Sequence, residues 1–242
     1  MTKSMTKAKK TEVVNVDYYA DFMETIDTND LIPPEIVLMQ KTSKKVEEEE
    51  AKIGEFREKN TNQLYGDKKN NLIIAPVAGI KKAYVEEVFD NTNTSISYKV
   101  VPFNPRNPLP ASEEHPQGIL KRQEAYKLFC LPITELDNHI KADTKPFPCE
   151  IVFKGASFYA ARQIFQAQFM YKNMRKPPFA LMFEISATQA TSKVGGHTYY
   201  KMVLKKTEEI VDSKRLSLLR GIFNDLNTAS VNKVAESEEE FF

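Results

Sequence analysis

Three histidines, two cysteines and two acidic runs are the residues of this chain with the chemistry to make or break bonds. His115, His139 and His197 lie far apart, and none stands in the HExxH spacing of a zinc hydrolase. Cys130 and Cys149 form no CxxC and have no histidine cluster beside them, so neither a zinc site nor a disulfide framework is expected. Thiols in a reducing compartment are the plain reading. The runs at 47–50 and 236–240 lack the separated aspartates of a two-metal centre. No nucleophile elbow, Walker A loop or dinucleotide fingerprint is present. The expectation is a protein that is not an enzyme and uses no metal or cofactor.

Binding chemistry is better represented. Three stretches interleave cations with aromatic rings. The first holds Lys81, Lys82 and Tyr84, and the second Tyr171, Lys172, Arg175 and Lys176. The third holds Lys193, His197, Tyr199, Tyr200, Lys201, Lys205 and Lys206. Single-stranded nucleic acid is bound by this mixture. Cations follow the phosphates, and rings stack on bases whatever their sequence. Phosphate contacts are expected from Lys81, Lys82, Lys172, Arg175, Lys176, Lys193, Lys201 and Lys205. Stacking is expected from Tyr84, Tyr171 and Tyr199. Neighbouring strand residues point to opposite faces, so at most one of Tyr199 and Tyr200 should line a groove.

Charge is unevenly distributed. The net charge is +1, and the last seven residues hold four Glu and no base, which leaves +5 on the rest. Lys3, Lys7, Lys9 and Lys10 make a basic arm of residues 1–12. Glu236, Glu238, Glu239 and Glu240 run into Phe241 and Phe242. Such a segment buries too little apolar surface to fold alone, so 227–242 is expected to be a flexible acidic tail. Its carboxylates suit the same basic groove as phosphates, and its two rings suit an apolar pocket on another protein. No apolar run approaches the ~20 residues that span a bilayer, and no apolar stretch follows the first lysines. No membrane contact and a cytoplasmic location are expected.

These residues need elements to place them. A strand is expected over 33–40 and a helix over 43–56. Residues 71–90 form a long β-like run bent at Gly79, and 94–103 should pair with it as a hairpin. The stretch from Pro102 to Gly118 carries five prolines and reads as a surface insertion. Strands follow at 125–133 and 148–155. A helix is expected over 156–174, capped by Ser157, with Phe158, Ala161, Phe165 and Phe169 on its apolar face. Strands at 179–189 and 197–206 turn at Gly195 and Gly196. A helix at 208–226 closes the body. The class is mainly β with helices (α+β), and the order β-β-β-α-β-β is that of an OB-fold. That fold is a five-stranded, partly open barrel with a helix between strands 3 and 4. It would occupy 13–226 as one domain.

Four stretches resemble a known family. "IPPEIVLMQKTSKKVEEEEAKIGEF", "FKGASFYAARQIFQAQF" and "PPFALMFEISATQATSKVGGHTYYKMVL" are similar, in order, to blocks of bacteriophage single-stranded DNA-binding proteins. The acidic, Phe-ended tail resembles theirs and those of their bacterial counterparts. The resemblance implies an OB-fold and sequence-independent binding of single-stranded DNA in replication and recombination, in the host cytoplasm if phage-encoded. It implies a tail that competes with DNA and recruits partners such as polymerase, helicase-primase or recombinase, and it is compatible with a homo-oligomer. The proline-rich stretch, the lysine-rich arm and the absence of Trp depart from the pattern. A rival is an interaction adaptor on the same fold, such as a helicase loader or recombination mediator, with weak DNA binding. A nuclease is the other, and the missing carboxylate constellation argues against it.

Overall fold

The computed structural model describes residues 33–92, 94–192 and 195–239, with the backbone alone over 227–239. The chain divides into Met1–Ile32 and Pro33–Phe242, and every described residue lies in the second unit. The expected arm at 1–12 and the segment after it lie outside the described residues.

Eleven strands join into one large open sheet. They are β1 (Glu35–Leu38), β2 (Phe56–Glu58), β3 (Leu64–Gly66), β4 (Leu72–Pro76), β5 (Lys81–Phe89), β6 (Ser95–Pro102), β7 (Ser112–His115), β8 (Gly118–Pro132), β9 (Cys149–Lys154), β10 (Leu181–Thr191) and β11 (Thr198–Glu209). The helices are α1 (Lys44–Glu47), α2 (Ile133–Ala142), α3 (Phe158–Asn173) and α4 (Ser213–Glu239). The expected class, mainly β with helices, is the observed one. The sheet has eleven strands where five were expected.

Strand β8 is the spine. Its fifteen residues pair with β5 and then β4 along one edge. The other edge carries β7 and then β9. The main path runs β11-β10-β4-β8-β9-β1-β2-β3, with only the β1–β9 pair parallel among its contacts. The expected bend at Gly79 separates β4 from β5, and the expected β5–β6 hairpin forms. Gln168 of α3 holds that bend. Its Oε1 accepts from the Ile80 amide at 2.9 Å and its Nε2 donates to the Ala78 carbonyl at 3.3 Å.

Arg122 anchors the proline-rich insertion from β8. Arg122 donates from Nε to Glu86 at 2.6 Å, from Nη2 to Glu113 at 2.7 Å and from Nη1 to the Pro110 carbonyl at 3.3 Å. Part of the insertion is not loop, because Ser112–His115 pairs with the start of β8. That turn needs glycine. Gly118 has φ 146°, and a Cβ there would sit 2.0 Å from the Phe89 carbonyl oxygen.

Several helices differ from expectation. Only one turn, α1, forms in the predicted 43–56 helix, and Glu49 leaves it at φ 61°. Glu47 and Glu50, three residues apart, would repel on one face of a continued helix, while Ala51 and Phe56 gain burial by turning back to the sheet. Helix α2 was unforeseen; it buries Leu136 and stops at Asp143, φ 53°. In α3 the buried face is Ala160, Ala161, Ile164 and the polar Gln168, whereas Phe165 and Phe169 are 47% and 55% exposed. Ser157 caps nothing; its Oγ accepts from the Met202 amide at 2.9 Å. Helix α4 starts after Asp212, which accepts from the Arg215 amide at 2.8 Å, because β11 runs on to Glu209. It continues to Glu239, well past 226, so the backbone of 227–239 is helical.

Two cores result. The larger packs Ile36, Phe56, Leu72, Ile74, Leu128 and Phe153 against α3. The second gathers Val77, Leu131, Leu136 and Phe179 under Leu219 and Ile222 of α4, where Arg215 grips Asp137 with two 2.8 Å bonds.

Buried Glu58 gives an acid-sensitive point. Burial pushes its carboxyl up, but hydrogen bonds from Thr61 and Asn60 and the Lys45 charge outweigh it and hold the pKa below the usual range. A depressed pKa adds stability above the unfolded value that is lost as pH falls through the folded one. Glu58→Gln should therefore cost about 1 kcal/mol near neutrality and less at acid pH. Urea unfolding of both proteins between neutral and acid pH checks this; a gap that stays constant would contradict it.

Candidate nucleic-acid interface

The last strand of the chain, β11, lies beside the first, β1. Strands β1 and β11 share no backbone ladder, yet Gln40, just after β1, joins them. Its Nε2 donates to the Tyr200 carbonyl at 2.8 Å, and its Oε1 accepts from the Tyr200 amide at 2.9 Å. One side chain thus takes the place of a strand neighbour for the edge of β11. Ser157 does the same for the next outward amide, that of Met202.

Beside this junction lies an open cleft of ≈ 830 Å³. Its lining comes from β1, from residues 40–43, from the end of β9 with Ala156 and Ser157, and from 197–200 with Met202. Tyr98 of β6 and Lys59 complete it. The lining holds three lysines, Lys41, Lys59 and Lys154, against one carboxylate, Glu35. Three tyrosines and one histidine sit among them, Tyr98, Tyr199, Tyr200 and His197.

The charges are held in place. Lys59 Nζ lies 2.8 Å from Glu35, and Lys154 Nζ pairs with Glu87. Both ammonium groups also lie 4.9 Å from the centre of the Tyr98 ring. The Tyr98 hydroxyl donates to Glu35 at 3.3 Å. Burial first, then the Glu35 charge, pushes this phenol far above its ordinary pKa, so it stays neutral. Tyr98 is therefore a brace for two cations. A phosphate entering here competes with Glu35 and Glu87 for ammonium groups already in position.

The aromatic side is more open. Tyr199 is half-buried, 6.4 Å from the exposed His197 ring. Tyr200 has the Lys68 ammonium over its ring at 4.8 Å, and its hydroxyl donates to Gln189 at 3.3 Å. Both tyrosines line the cleft, against the expectation of at most one, because the cleft runs along the edge of β11 rather than across one face. The turn that presents them is made by Gly195 and Gly196, φ 80° and 64°, as expected.

Of the predicted binding residues that are described, the cleft collects Tyr199 alone. Tyr84 is 7% exposed and packs on Phe103 with ring centres 5.1 Å apart, so it is closed to stacking. Lys82 lies 3.1 Å from Glu124 and over the Phe103 ring, and Lys81 is exposed on the same strand. Tyr171 packs against the larger core, its hydroxyl 3.4 Å from Glu209, which also takes Lys176 at 2.7 Å. Lys172 and Arg175 are exposed at the end of α3. Lys201 and Lys205 lie on β11 away from the cleft. Lys205 is the extra residue of a bulge, since Glu184 pairs with Lys206 and Ile185 with Leu204. Lys193, Glu240, Phe241 and Phe242, and the side chains of Glu236, Glu238 and Glu239, lie outside the described residues.

Sequence reasoning missed Gln40, Lys41, Lys59, Tyr98 and Lys154. They come from separate elements and meet only through sheet curvature, so no local spacing marks them. The histidines stay apart. His115 accepts from the Gln117 amide, and His139 bonds Thr144 at 2.7 Å. Among the described residues no group of His, Cys, Asp and Glu is placed to hold a metal ion, and no helix is long and apolar enough to cross a membrane. Comparison with family models, with curated proteins and with solved structures finds no match.

The Gln40 junction makes a stability prediction. Gln40→Ala leaves the Tyr200 amide and carbonyl without their partner, which should cost about 1–3 kcal/mol. Gln40→Glu should cost at least as much, because a carboxylate oxygen then faces the Tyr200 carbonyl. Denaturant midpoints equal to that of the unaltered protein would show that the junction contributes nothing.

Proposed function

We propose that the chain is a sequence-independent single-stranded DNA-binding protein of OB-fold type, and that the β1–β11 cleft holds the strand. The observation that carries this reading is the lining: lysines braced on a tyrosine along one wall, Tyr199, Tyr200 and His197 along the other. Ammonium groups suit phosphates, and ring faces suit unstacked bases of any sequence. A duplex keeps its base faces stacked inside and gains nothing from such rings.

The topology supports an OB reading. Five of the eleven strands, β4, β8, β9, β10 and β11, run β-β-β-α-β-β with α3 between the third and fourth, although β6, the expected second strand, lies off this set and pairs with β5. Strand β1 then fills the gap between β9 and β11, pairing parallel with β9 and reaching β11 through Gln40. The cleft lies over that gap. In this reading the chain serves DNA replication or recombination in a phage-infected cell. Residues 236–242 recruit partner proteins and compete with DNA, as their four carboxylates are anions like the phosphates and suit the cleft's cations.

Fluorescence anisotropy with labelled oligo-dT, matched duplex and added Mg²⁺ tests this. Tight binding to oligo-dT over duplex, without cleavage, is expected, and affinity should fall with salt as counterions are released. Tyr199→Ala and Lys41→Glu should each weaken oligo-dT binding by about ten-fold, the scale of one stacked base or one phosphate contact. Equal affinity for duplex, or none for either, would overturn the assignment; Mg²⁺-dependent cleavage would make the protein a nuclease.

A further inference from the structure

Helix α3 carries an apolar surface that the cores do not use. Tyr159, Phe165, Phe169 and Met170 are 70%, 47%, 55% and 59% exposed, and Met174 just beyond is 61% exposed. A cluster this large on one helix marks a contact surface. The exposed Phe165 and Phe169 extend a row of rings that begins with the half-buried Phe158 and with Tyr126 of β8, which packs against the larger core. Phe158 and Tyr126 have centres 4.8 Å apart, Tyr126 and Phe165 6.5 Å, and Phe165 and Phe169 6.4 Å with planes only 16° apart. At ~1.5 Å per residue, Phe158 to Phe169 covers about 16 Å along the helix.

The helix itself carries charge of one sign, although Glu209 of β11 meets Tyr171 and Lys176 at its end. No Asp or Glu occurs anywhere in α3. Arg162 lies over the Phe158 ring at 5.2 Å. Lys172 and Arg175 are exposed and make no ion pair among the described residues. The row also begins where the cleft ends, since Ala156 and Ser157 line the cleft and Phe158 opens the helix.

We infer that this face of α3 is a second contact surface for single-stranded DNA, taken up by a strand long enough to leave the cleft past Ser157. The inference rests on the proposed single-strand binding and adds a location to it. A polyanion with exposed base faces matches both features of the surface: exposed rings to stack on, and Lys172 and Arg175 on a helix that has no acid of its own. The sequence places Lys172 and Arg175 in binding with Tyr171 as their ring. The structure buries much of Tyr171 and offers Phe165 and Phe169 in its place.

The chain has no Trp, so one introduced ring is a clean reporter. Phe169→Trp reads α3, and Tyr199→Trp reads the cleft, each in the full chain titrated with oligo-dT of about 20 nucleotides, longer than one OB groove covers. Quenching of both reporters is the expected result. Quenching at 199 with silence at 169 overturns the α3 surface and leaves the cleft standing. Quenching at 169 with silence at 199 keeps the α3 surface and removes the cleft. Silence at both overturns both. A Phe169→Trp signal that changes on deletion of 236–242 and ignores DNA assigns the surface to that acidic segment and overturns the inference. Phe165→Ala with Phe169→Ala, both exposed and so tolerated by the fold, should lower affinity for the long oligonucleotide about ten-fold or more.

Discussion

Strand β8 meets a different neighbour along each half of each edge, and the remaining architecture follows from that constraint. Its early residues carry the β5–β6 hairpin and β7; its late residues carry β4 and β9. Fifteen residues must therefore stay in register with four strands at once. The late half is buried on both faces from Leu128 to Leu131, apart from the partly buried Phe129, and so belongs to two cores. The early half is largely exposed and depends on cross-strand contacts, above all the Arg122 clamp. Because the sheet curls around this strand, β11 arrives beside β1, and a cleft exists there at all.

The closure at that point is made by side chains. Gln40 and Ser157 satisfy the peptide groups that a neighbouring strand would otherwise take. An edge finished in this way is protected from pairing with another chain, yet it leaves room for a groove beside it. The groove's cations come already positioned by Tyr98, Glu35 and Glu87. Such bracing lowers the entropy lost when a ligand binds, but it obliges that ligand to compete with carboxylates.

Much of the frame was legible in the sequence. Alternation in "TSISYKVVPF" and the glycines at 195 and 196 marked two hairpins, and the phase of α3 was close. The errors share a physical origin. Phe165 and Phe169 fit a helical stripe by spacing, but the neighbouring stripe of Ala160, Ala161 and Ile164 is small enough to approach the sheet closely. Helical propensity in 43–56 lost to glutamate repulsion and to the burial of Phe56. The site was least legible, because Lys59, Tyr98 and Lys154 converge only after three separate strands have paired. Tyr199 was found because the turn that presents it is local.

The central claim is that the β1–β11 cleft takes a single strand. Hydrogen exchange of the full chain with and without saturating oligo-dT tests it most directly. The account predicts slowed exchange in 35–43 and 197–202, the two cleft walls. Slowed exchange confined to other parts of the chain, with those two segments unchanged, would contradict it.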